Sequence, residues 1–137
     1  MNKPKIVVFC GSSKFCDVMA VAAWLVEREE GAITMGLHLL PPWYLSPTGE
    51  LPADHLAEHE GVAAEMDELH LRKIDLGDEV FVVNIGDYIG ESTQNEVKYA
   101  RSKGKKIRWY TYDPIGDQVN NILNIAIANW RETYVGD

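Results

Sequence analysis

The chain has 137 residues, is 46% hydrophobic, and carries a formal net charge of −8. That length suits one domain with a real core and is too short for two, so a single domain over 1–137 is expected. The acidic balance argues against a general nucleic-acid surface, which needs clustered Lys and Arg, but leaves room for a small anion held by backbone dipoles. Apolar stretches are broken well before the roughly 18 to 20 positions of a membrane span, so no membrane contact is expected. Met1-Asn2-Lys3-Pro4 leads straight into a strand without an export signal, and a cytoplasmic location is expected.

Residues 5–10 (KIVVFC) form a first apolar strand that runs into Gly11-Ser12-Ser13, and 14–30 follow as a helix with Val18, Met19, Ala22, Leu25 and Val26 at helical spacing. Gly31 supplies the stop. Ser12 or Ser13 is placed to cap this helix, whose free N–H groups offer an anion site, and the glycine patterns of phosphate and dinucleotide loops are absent. The two cysteines, Cys10 and Cys16, lack metal-couple spacing and read as reduced thiols, so zinc is not expected; no other metal and no cofactor is expected either. Residues 32–40 read as a second strand interrupted by Gly36, a bulge or a close backbone approach, with His38 half-buried near its end. The irregular segment 41–53 carries Trp43 and Tyr44, suited to stacking on a planar ligand or to pinning the loop. A helix is expected over 54–76 with Asp54 as its cap; Met66, His70 and Ile74 lie four apart, on the face that packs on the sheet.

The rest of the chain is organised around 75–110. Val80 to Val83 is an uninterrupted apolar run, as in a central parallel strand (79–84), followed by a loop, a helix over 92–103 and a strand over 105–110. A turn at 111–116 and a closing helix over 117–131 end the pattern. The alternation predicts an α/β protein: a three-layer, doubly wound parallel sheet of four to five strands, Rossmann-like or flavodoxin-like. Two strand–loop–helix junctions, at Gly11-Ser12-Ser13 and at Gly90-Glu91-Ser92-Thr93, then share the carboxyl edge, where such folds bind ligands. Asp87, Glu91 and Glu96 lie beside them, and a carboxylate near a helix N-terminus ionises readily, as a nucleophile requires. Thr93-Gln94-Asn95-Glu96 also fits a capping box, in which Glu96 merely bonds back to the cap.

The segments FCGS at 9–12, DEVFVV from Asp78, the Gly/Ser loop, and EVKYA from Glu96 to Ala100 resemble the nucleoside 2-deoxyribosyltransferase superfamily, which includes 2'-deoxynucleoside 5'-phosphate N-hydrolases. The resemblance implies that Glu96 attacks C1' of the sugar to form a glycosyl-enzyme, as in a retaining glycosidase. It implies Gly11, Ser12 and Ser92 around the sugar or 5'-phosphate, with Ser13 and Gly90 of the same junctions as further binding candidates, and Tyr88 against the sugar beside Asp87, a third catalytic candidate with Glu96 and His70. The implied partner is a nucleoside or nucleotide, and the implied assembly is a homo-oligomer. The chain departs from the family at Lys98, where a glycine is usual, and at His70, which aligns with the second catalytic aspartate. Either Asp67, one turn earlier, or His70 itself would take that role, although the lengths of helix and strand set His70 low relative to the sheet edge. The alternative is a nucleotide-binding module of the same fold without catalysis.

Overall fold

The computed structural model describes residues 3–12, 15–38, 61–84 and 89–110. In chain order the elements are β1 (Ile6–Cys10), α1 (Cys16–Glu30), β2 (Ile33–Met35), α2 (Ala63–Leu76), β3 (Glu79–Val83), α3 (Glu91–Ser102) and β4 (Lys106–Tyr110). The four strands form one all-parallel sheet in the order β2-β1-β3-β4. The connections leaving β1 and β3 run to opposite sides, so the topological switch point lies between these two neighbours.

Strand alternation sorts the core into two layers. Val7 and Phe9 of β1 and Phe81 and Val83 of β3 pack with Met19, Ala22 and Val26 of α1. Val8 and Cys10, with Val80 and Val82, pack on the other face with Ile74 of α2 and with Val97 and Ala100 of α3. The β-branched runs of β1 and β3 are therefore covered on both faces, as a central parallel strand requires.

The register of β1 against β3 pairs Cys10 with Val82. It is closed at the amino end by Asp78: the Ile6 N–H donates to Asp78 Oδ2 at 2.8 Å, and the Asp78 N–H donates to the Ile6 carbonyl at 2.8 Å. Nearby, Lys5 reaches Glu30 at 2.9 Å and Glu79 at 3.3 Å. Arg108 holds both carboxylate oxygens of Glu30, at 2.8 and 2.9 Å, and bonds Glu79 at 3.3 Å. Gly77 joins α2 to β3 against Val8, so closely that an added Cβ would stand 2.6 Å from Val8 Cγ2.

Several expectations are corrected. The helix before β3 is not continuous from Asp54: Gly61 has φ +75°, a left-handed conformation that interrupts a helix, and α2 starts at Ala63. The second strand is three residues long, not nine. Gly36 lies beyond it as a close approach, where an added Cβ would stand 3.2 Å from Phe9 Cβ, and its carbonyl accepts from Lys73 Nζ at 2.7 Å. His38 is exposed beyond the strand rather than half-buried. The N-cap of α1 is Phe15, whose N–H donates to the Ser12 carbonyl at 2.9 Å, so Ser12 is not the cap. Gly31 ends α1 as expected, with φ +62°. The loop 41–53 with Trp43 and Tyr44, the turn at 111–116 and the helix over 117–131 lie outside the described residues. Among the described residues no helix is long and apolar enough to cross a membrane.

Candidate functional site

Three elements bring one polar side chain each to the layer between the sheet and the α2–α3 pair. Cys10 is the last residue of β1 and alternation turns it toward the helices. His70 lies on α2 one turn before buried Ile74, and Glu96 lies on α3 one turn before buried Ala100. Helical side chains lean toward the N-terminus of their helix, and both helices start at the carboxyl edge of the sheet, so both side chains lean upward to the level of Cys10. His70 therefore reaches the site: the cluster forms at the level of the Cys10–Val82 pair, only about 10 Å above the start of β3, which the seven helical residues back from Gly77 span.

Cys10 Sγ lies 3.4 Å from His70 Nε2, and Glu96 Oε2 lies 3.8 Å from the same nitrogen. Cys10 is fully enclosed, and His70 and Glu96 are only 3% and 6% exposed. His70 Nδ1 and Glu96 Oε2 are buried without a hydrogen-bond partner, as is Oδ1 of Asn84, which follows β3. Above the cluster, toward the carboxyl edge, Ser92 Oγ donates to Asp67 Oδ2 at 3.5 Å, linking residues one turn before Glu96 and His70 on their helices.

Glu96 does not cap its helix. The N-cap of α3 is Gly90, whose carbonyl accepts from the Gln94 N–H at 3.0 Å, so Thr93 and Glu96 stand inside the helix and the capping box does not form. Nor does the helix terminus keep the carboxyl readily ionised. Burial pushes its pKa up to about 7, nearby Asp67 adds to the rise, and the Cys10 thiol opposes it. His70 is pushed down to about 4, first by burial and then by Lys73, against a smaller pull from the Phe9 backbone. Cys10 is held well above its ordinary value by burial and then by Glu96. At neutral pH the imidazole and thiol are uncharged, and the His70–Glu96 contact is not an ion pair.

This is not a cysteine–histidine–acid triad. In such a triad the acid holds the nitrogen opposite the thiol, whereas here thiol and carboxyl both face Nε2. The three ligand atoms lie within 4.8 Å of one another, a spacing that can hold one cation.

Of the other expected site residues, Gly11 is buried at the end of β1. A Cβ there would stand 3.2 Å from both Cβ and O of Val83, so the junctions after β1 and β3 are adjacent. Ser12 is half-buried, Gly90 is half-buried with open space where a Cβ would point, and Ser92 is exposed. Ser13, Asp87 and Tyr88 lie outside the described residues. Lys98 is exposed. Cys10 was missed by sequence reasoning, because the spacing of cysteines alone carries no signal for a set assembled from three elements.

Fold and site define a parallel α/β protein whose buried polar groups gather at the switch point of its sheet. Compared with protein-family models and with curated proteins, the chain matches none.

Proposed function

We propose that this protein cleaves the N-glycosidic bond of a (deoxy)nucleoside or its 5'-monophosphate, by hydrolysis or base exchange, with Glu96 as nucleophile. The observation that carries the reading is the state of Glu96: a carboxyl at the ligand-binding edge of the sheet, not used as a cap, with one oxygen unpartnered in a buried site. Its carboxylate would attack C1', forming a glycosyl ester as the base departs, and water or a second base would then release the sugar. His70, uncharged at neutral pH, would orient Glu96 rather than donate a proton, leaving Asp67 as the acid nearest the cluster. The adjacent junctions at Gly11-Ser12 and Gly90-Ser92 would take the sugar and phosphate. A homo-oligomer belongs to the same reading, on the resemblance alone.

Because the nucleophile must be ionised, base release should rise with pH through about 7, the pKa of Glu96. The test is chromatographic detection of free base from a panel of ribo- and deoxyribonucleosides and their 5'-monophosphates, with Glu96→Gln alongside. Release by the native chain should fall at least about a thousandfold in the variant. The burial of Glu96, at 6% exposed, favours a second reading, a nucleotide-binding module without turnover. A thermal shift with one panel member and no base release from any would establish that reading instead.

A further inference from the structure

The convergence of Cys10 Sγ, Glu96 Oε2 and a single ring nitrogen of His70 has a use that glycosidic chemistry does not require. A zinc-type ion holds sulfur at about 2.3 Å and nitrogen or oxygen at about 2.0–2.2 Å, so tetrahedral geometry separates sulfur from nitrogen by about 3.5–3.6 Å and nitrogen from oxygen by about 3.3–3.5 Å, which asks for a closing shift of a few tenths of an ångström by Glu96. The observed separations are 3.4 Å from sulfur to nitrogen and 3.8 Å from nitrogen to oxygen, and the third is within 4.8 Å. Glu96 Oε2 is buried without a partner in hydrogen-bonding geometry, and the contact the Cys10 thiol makes with this carboxyl is the one that a shared ion would replace.

We infer that Cys10, His70 and Glu96 form a binding site for one thiophilic divalent cation of zinc's chemistry. On binding, the Cys10 thiol proton passes to solvent, as does the Glu96 proton where present, and the metal forms one bond each to sulfur, nitrogen and oxygen. A dication with one thiolate, one carboxylate and one neutral imidazole sums to zero charge, which suits an enclosed site. Hard cations such as magnesium are excluded, since they want mostly oxygen ligands and one carboxylate does not supply them. Three protein ligands leave one coordination position open. The inference does not depend on the proposed reaction, but it bears on it, because a bound ion occupies the nucleophile.

The test is titration of the full chain, stripped with chelator, with Co²⁺ in the absence of any nucleotide. A thiolate-to-cobalt charge-transfer band should saturate at one equivalent, bleach on addition of Zn²⁺ and ignore Mg²⁺. Cys10→Ser should abolish the band, His70→Gln should weaken binding at least about tenfold, and Cys16→Ser should leave the band unchanged. Absence of the band in the native chain, its survival in Cys10→Ser, or its loss in Cys16→Ser would overturn the inference. The native result stands even if a variant fails to fold. Base release, assayed separately with chelator present, can fail without affecting the metal result; if it succeeds, one equivalent of Zn²⁺ should abolish it.

Discussion

The two ends of the parallel sheet treat their polar groups in opposite ways. At the amino end Lys5, Glu30, Glu79 and Arg108 form a partly solvated network in which every charge meets an opposite one. At the carboxyl end His70, Asn84, Thr93 and Glu96 are buried, and three of these residues carry a polar atom with no hydrogen-bond partner. Glu30 and Glu96 make the contrast sharpest. Hydrogen bonds from Arg108 outweigh burial and pull Glu30 down to about 2, whereas burial outweighs everything near Glu96 and lifts it to about 7. The same side chain is a fixed anion at one end and a titrating group at the other. One end of the sheet is arranged for cohesion, and the other leaves bonding capacity unused, as ligand sites do.

The contrast can be broken in several ways, after the loss of base release expected for Glu96→Gln. The next largest effect, on the amino end, should be that of Gly77→Ala. The added methyl meets Val8 Cγ2 at 2.6 Å, and Val8 is fully enclosed, so overpacking should cost about 1–3 kcal/mol in denaturant unfolding. At the carboxyl end, Glu96→Gln should change how stability depends on pH. The folded state raises the Glu96 pKa from 4.5 to about 7, so its stabilising contribution is complete below pH 4.5 and is lost as pH rises through 7. The native chain should lose up to about 3 kcal/mol across that window, and the Gln variant should not. His70 acts in the opposite sense: its pKa falls from 6.5 to about 4, so its contribution is present above pH 6.5 and lost as pH falls through 4. The two slopes oppose each other in the native chain, and Glu96→Gln should expose the acid-side loss. Urea unfolding between pH 4 and 8 measures both.

The smallest effect should come from Arg108→Gln. Exposed and partly exposed pairs are worth about 1 kcal/mol or less, and salt should shrink the difference further. The contribution of Glu30 is present above pH 4.5 and lost as pH falls through about 2. The variant should therefore show a shallower loss of stability in acid than the native chain.

The fold was legible because both central strands are short apolar runs bounded by polar or glycine residues, a pattern that depends only on covered faces. The edge strand was less so: the apolar letters of 32–40 continue past Met35, but pairing with β1 stops there, and pairing is a tertiary fact. The break at Gly61 was hidden because a glycine within a helical pattern reads as tolerated until its φ is known. At the site, Glu96 stood out by its place beside the two junctions, and the resemblance implied a role for it, while its spacing from Thr93 suggested a cap. Only the position of Gly90 as the true N-cap separates the two roles. The reach of His70 depended on the level at which the cluster forms, and that follows from the register of β1 against β3.

That register gives Asp78 an unexpected influence. By bonding both the N–H and the carbonyl of Ile6, it decides at the far end of β1 which side chains enter each layer. A one-residue insertion within β1 would exchange neighbours: the thiol of Cys10 would take the place of Gly11 against Val83 and Met19, and the phenyl ring of Phe9 would take the place of Cys10 and be pressed against His70 and Glu96. The pairing of β1 with β3, begun at Asp78, thus decides which side chains meet at the other end of the sheet.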